Sequence, residues 1–147
     1  MSNQIDPRGP QFAAALTAVV LAVVLLSAPG TFGVALLGVQ ALLFAIGAAF
    51  GVQKTPHAVI FKHLVRPRLG TPTELEDAAP PRFAQTVGLA FAVVGLVGYL
   101  TGVTLLGHIA VGFALAAALL NAIFAFCLGC EIYLLSKRLT TRSTVLA

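Results

Sequence analysis

At 147 residues, 59% of them hydrophobic and only 10% charged, the chain is sized for one domain and cannot cover a water-facing surface. An average soluble domain carries roughly 25% charged residues, and a mean hydropathy of +0.97 makes lipid the main solvent. The net charge of +4 is no nucleic-acid footprint, because the cations stand between apolar runs and form no phosphate-binding face.

Four apolar stretches reach the length of about 20 residues needed to cross a hydrocarbon layer of about 30 Å. They run over 12–28, 32–52, 83–100 and 107–135, and predict an all-α, four-helix integral membrane bundle in a single domain. Gly and Ala scattered through all four suit close helix contact in lipid. Asp6 and Arg8 ahead of the first stretch resemble the start of a signal peptide. The cleavage site around Ser27-Ala28-Pro29 is poorly formed, so the segment is expected to be retained.

All nine Lys and Arg fall on one side of such a bundle: Arg8; then Lys54, Lys62, Arg66, Arg68 and Arg82; then Lys137, Arg138 and Arg142. The opposite loops, around Pro29-Gly30 and Thr101–Thr104, hold none. Under the positive-inside rule both termini and the long loop 53–82 face the cytoplasm of an inner membrane.

The chain repeats itself. Pro10-Gln11-Phe12-Ala13 matches Pro81-Arg82-Phe83-Ala84, and Ala41-Leu42-Leu43-Phe44-Ala45-Ile46 matches Ala118-Leu119-Leu120-Asn121-Ala122-Ile123. Two hairpins entering from the same side imply a pseudo-twofold axis along the membrane normal; chance likeness of apolar runs is the other reading. Extending the second match sets Cys127 opposite Phe50, Cys130 opposite Gln53 and Glu131 opposite Lys54.

In the long loop, Thr55-Pro56 reads as an N-cap and first helical position. Ile60, Phe61, Leu64 and Val65 share one face of a short surface helix, with Lys62 and Arg66 toward anionic headgroups. Pro67 is expected to end it, and 69–81 to be an irregular solvated connector.

Cys127, Cys130 and Glu131, at i, i+3 and i+4, lie on one stripe of a helix. At 1.5 Å per residue, Cys130 falls about 10 Å and Cys127 about 15 Å inside Lys137. Three readings remain open: small apolar residues filling a helix contact, a thiol–disulfide or sulfur-relay pair, or two thiolates holding a soft metal with Glu131, His57 or His63. No full zinc set is evident, since that needs four ligands. The redox reading has a physical obstacle. A pair near a helix C-terminus, in apolar surroundings and beside a carboxylate, loses thiolate character on all three counts. Lys54 is the cation that the repeat delivers against it, and Gly129 offers a looser helix as another remedy. Glu131 is an ionisable group near the membrane interior, a functional signal, or else a carboxylate snorkelling or paired with Lys54. Gln40 and Asn121 read as interhelical glue, with Asn121 off the cysteine stripe. His108, Tyr99 and Tyr133 read as interfacial.

Cys127-Leu128-Gly129-Cys130-Glu131-Ile132-Tyr133, Asp6-Pro7-Arg8-Gly9-Pro10 and Pro81-Arg82-Phe83-Ala84-Gln85 together resemble an uncharacterised bacterial family of small four-helix membrane proteins, catalogued only as a domain of unknown function. The resemblance implies no established activity or cofactor; by association it favours a soluble thioredoxin-like or sulfurtransferase partner. The function expected is a membrane-bound thiol–disulfide or sulfur-relay component. In it Cys130 meets the partner, Cys127 resolves, Glu131 accepts a proton and Lys54 stabilises the thiolate. The alternative is a non-enzymatic membrane protein, a small transporter subunit or assembly factor, whose cysteines pack or bind a metal. Reporter fusions after Gln53 and after Leu139 are expected to be cytoplasmic and one at Gly30 external; an external signal from the long loop overturns the orientation.

Overall fold

The computed structural model describes residues 4–146. Helices α1 (Arg8–Ser27) and α2 (Thr31–Phe50) form one hairpin, and α5 (Ala79–Leu100) and α6 (Thr104–Phe124) the other. These four are long and apolar enough to cross a membrane. All four start earlier than their apolar stretches, α1 and α5 by four residues. In α5 this is because Pro80 and Pro81 fit a first turn that needs no amide donors, and the Ala79 amide is taken by the Asp77 carboxylate at 2.9 Å.

α1 packs against α2 and α6, and α5 against α2 and α6, which closes a ring of four. Strand β1 (Gln4–Ile5) pairs antiparallel with β2 (Glu76–Asp77), so α1 and α5 start at the same end. The ring order and the shared entry side are what two hairpins related by a twofold along the bundle axis produce. Leu21, Val24, Leu37, Phe44, Ala92, Tyr99, Val111 and Ala114 fill the centre. α5 and α6 come close at Gly98, where a Cβ would stand 2.6 Å from the Gly107 amide nitrogen.

Each hairpin's far end is capped by the other hairpin. The last carbonyls of a helix lack intrahelical donors. Arg82, in the first turn of α5, donates to the carbonyls of Ala48 and Ala49 at the end of α2, both at 2.7 Å. Gln11, its partner in the sequence repeat, donates to the Ala122 carbonyl near the end of α6 at 3.0 Å. The same position in both halves thus does the same work.

The long loop departs from expectation in two places. Thr55 does cap α3 (Pro56–Ile60), accepting from the Ala58 amide at 3.3 Å. Pro67 does not end the helical run, which widens into a π turn over Phe61–Val65 and continues as α4 (Arg66–Leu69). A proline strands the carbonyl one turn back, and the wider turn ahead of it shifts the pairing. Phe61 is buried against Phe12, with ring centroids 5.9 Å apart, whereas Ile60 and Leu64 stay exposed. The connector beyond α4 is not wholly irregular, since it contributes β2. Arg8 fastens it further, donating to the Gly70 carbonyl at 3.0 Å and pairing with Asp6 at 2.7 Å. The Arg8 guanidinium holds the Asp6 carboxyl below the usual carboxylate range.

Gln40 is buried in the core, but its Oε1 has no hydrogen-bond partner among the described residues, so that oxygen is not interhelical glue. At the opposite end, Tyr99 Oη and His108 Nδ1 share a hydrogen bond of 2.8 Å.

If the cross-hairpin caps hold the ring, Arg82→Leu and Gln11→Leu should each destabilise the bundle by about 1–3 kcal/mol, the cost of leaving helix-end carbonyls without a donor in an apolar surround. Thermal unfolding in detergent measures this; unchanged melting in both would show that the caps are incidental.

Candidate functional site

The expected span 107–135 is two helices. α6 ends at Phe124, and α7 (Leu128–Leu146) begins four residues later. Ala125 takes the left-handed conformation at φ 53°, and the amides of Ala125 and Phe126 both turn back onto the Leu120 carbonyl. A non-glycine residue there costs roughly 1–2 kcal/mol, so the break is held against a local preference. Length accounts for it: the 21 residues of α6 already span about 31 Å. The chain beyond carries Glu131, Lys137 and Arg138, which do not belong in hydrocarbon.

Cys127 stands at the start of α7 as its cap. Its carbonyl accepts the first helical bond from the Glu131 amide at 3.0 Å, and its Sγ accepts from the Cys130 amide at 3.2 Å. Serine or threonine serves the same purpose at other helix starts. Cys127 and Cys130 form a disulfide, with Cα atoms 5.1 Å apart, inside the 4.4–6.8 Å range such bonds tolerate. Both are half-buried.

This reverses the polarity expected for the pair. It lies at a helix N-terminus, where peptide dipoles and free amides favour a thiolate, and not near a C-terminus, where they oppose one. Glu131 is exposed in the first turn of α7. Gly129 is not a loosened point, because α7 is seated through it: a Cβ there would come within 2.7 Å of Ala84 on α5. Phe83 and Tyr133 extend that contact with ring centroids 5.7 Å apart, and Lys137 stands 6.0 Å from the Tyr133 ring centre. From Leu134 to Arg142 every residue is exposed.

Cys127 also lines a partly open cavity of about 270 Å³ bounded by α1, α2, α5, α6 and the start of α7. The walls are mostly apolar, with Gln85, Asn121 and Thr17 as the polar side chains. Asn121, which sequence spacing sets apart from the cysteines, shares this cavity with Cys127 because the helix breaks between them. Gln85 figures in the sequence only as part of the stretch 81–85, just beyond the repeated 81–84, and with no role at a site.

Lys54 lies elsewhere. It follows α2 in a 3-10 turn and lines a separate cleft of about 450 Å³ with Asp6, Lys62 and Arg66. The structure therefore joins Cys127, Cys130 and Glu131 in one turn of helix and leaves Lys54 in the neighbouring cleft. His57 stands in α3, where burial pushes its pKa down, and His63 in the π turn. Among the described residues no three His, Cys, Asp or Glu gather as an ion site.

A family model described as a domain of unknown function (DUF4395) matches residues 5–138, a stretch that includes both cysteines. No curated protein and no solved structure matches the chain.

Because Gly129 lets α7 touch α5, Gly129→Ala should force the two apart, at about 1–3 kcal/mol of stability. A lower thermal midpoint together with faster reduction of the disulfide is the outcome expected. An unchanged midpoint would mean that α7 is not seated there.

Proposed function

The chain belongs to the DUF4395 family, and we propose that it is a membrane-bound thiol–disulfide component serving the cytoplasmic side, with the disulfide at the start of α7 as its reactive group. The observation that carries this reading is the position of Cys127 as cap of a helix. A sulfur that accepts the Cys130 amide hydrogen is a stabilised leaving group as well as a stabilised nucleophile. With Lys54 in the neighbouring cleft, the α7 N-terminus supplies the positive potential that a thiolate needs.

The roles follow from the two faces of the pair. Cys127 faces the cavity, while Cys130 is one residue from the exposed Glu131. The thiolate of a reduced, thioredoxin-like partner attacks Cys130 Sγ. A new bond forms between the partner and Cys130, and the Cys127–Cys130 bond breaks. Cys127 leaves as a thiolate held by the Cys130 amide, and the partner's second thiol then attacks its own bridged sulfur, releasing oxidised partner and the Cys127–Cys130 dithiol. Glu131 is the nearest carboxylate in sequence to accept the partner's proton and pass it to water.

The orientation rests on charge. All nine Lys and Arg lie at the end of the bundle where α1 and α5 start and α7 emerges. With that end in the cytoplasm, the disulfide is within reach of soluble reductants. Lys54, Lys62 and Arg66 then present a basic cleft to the partner or to anionic headgroups.

The test is capture. Purified chain is mixed with a thioredoxin-like protein that lacks its resolving cysteine, and the mixed disulfide is mapped by mass. It should form on Cys130 and be absent from Cys130→Ser. An intact Cys127–Cys130 bridge after prolonged exposure to the reduced partner would leave the packing reading standing.

A further inference from the structure

Cys127 and Cys130 do not share surroundings. Cys127 is a wall of the 270 Å³ cavity and Cys130 is not. A reactant reaching the pair from inside the bundle must therefore be lipid-soluble, since the walls offer no fixed charge to a soluble thiol such as a glutathione-like peptide. It must also exchange two electrons, because the pair interconverts between dithiol and disulfide.

The polar groups in the walls narrow the choice. Gln85 on α5 and Asn121 on α6 face the cavity, and neither side chain makes a hydrogen bond among the described residues. Two amides with free N–H groups suit a ligand that carries acceptor oxygens on an otherwise apolar body. The rim is aromatic: Phe91 and Phe113 lie with ring centroids 6.3 Å apart, and Phe113 is 61% exposed on a helix apolar enough to face lipid. At about 270 Å³ the space is slightly below the usual range of small-molecule pockets, about 300–1,000 Å³. It holds one ring system and leaves a long tail to run out past Phe113 into the bilayer.

Resting on the thiol–disulfide reading above, we infer that this cavity takes the head group of a quinone, which reoxidises the dithiol after the soluble partner has reduced it. The S–S bond between Cys127 and Cys130 re-forms as two electrons and the two thiol protons pass to the ring. Both quinone carbonyls become hydroxyls, and a quinol departs. Gln85 and Asn121 donate to the carbonyl oxygens as negative charge builds on them. The pair then works as a two-sided relay, with Cys130 toward the aqueous reductant and Cys127 toward the oxidant in lipid.

The experiment uses the full chain in lipid nanodiscs without oxygen. The dithiol is generated with a small reductant, which is then removed, and decylubiquinone is added, its ring fully substituted so that thiols cannot add to it. One quinol per re-formed disulfide is expected. Ala117→Phe, which fills the cavity, and Asn121→Leu, which keeps its size but removes the amide, should each slow quinone reduction by about tenfold or more, the effect of losing a buried contact of about 1.4 kcal/mol or more. Exchange with the thioredoxin-like protein is measured separately on the unmodified chain. If that exchange proceeds but the quinone leaves the dithiol reduced, or if both variants react at the unmodified rate, the quinone site is wrong and the exchange reading stands. If neither reaction occurs, both are wrong.

Discussion

The carbonyl groups at the ends of α2 and α6 impose the constraint on which the rest of the bundle depends. A backbone oxygen without a donor in an apolar medium costs several kcal/mol, and a span that ends at the edge of the hydrocarbon leaves up to four of them. The protein meets this by reaching across. Arg82 opens α5 and closes α2, and Gln11 opens α1 and closes α6. Those bonds oblige α5 to lie beside α2 and α1 beside α6, which is the ring that the core residues then fill. Glycines at the α5–α6 contact permit the close approach, but they carry no register of their own.

Arginine and glutamine do this differently, and the two helices also end differently. The longer, forked guanidinium takes two carbonyls at Ala48 and Ala49, and α2 runs to Phe50. The shorter amide takes one, at Ala122, and α6 stops at Phe124, three residues before Cys127, the position aligned with Phe50. One lost turn puts Cys127 outside any helix, where its sulfur can cap the next one. The cysteine pair thereby exchanges a helix C-terminus for an N-terminus, which removes one of the three counts against a thiolate.

Much of this is visible in the amino acids, and the limits have physical causes. The four apolar helices, their common basic end and the Thr55 cap follow from composition and local chemistry. The break after Phe124 does not, because Phe124-Ala125-Phe126 contains neither Gly nor Pro and the hydropathy runs on unbroken to Leu135. The 21 residues of α6 already reach about 31 Å, and one of its last carbonyls is met by Gln11 from 111 residues earlier, which no local pattern reports. The alignment that sets Lys54 against the cysteines assumes equal helix lengths, and the lost turn removes that assumption. The periodicity that sets Asn121 apart from them holds only on a continuous helix. The repeat did contain the relevant clue, in the polar residue that follows Pro10 and Pro81, but its meaning depends on which helix stands beside it.

Two copies of a hairpin within one chain carry two copies of every structural duty. The junction with the long loop is carried by the first hairpin, whose α2 end is clasped by Arg82 of the second. The second hairpin can then give up a turn of helix without the assembly losing its frame, and the vacated position holds a cysteine that caps the next helix. Redundancy of architecture here leaves one half free to depart from the other, and it departs at the cysteines.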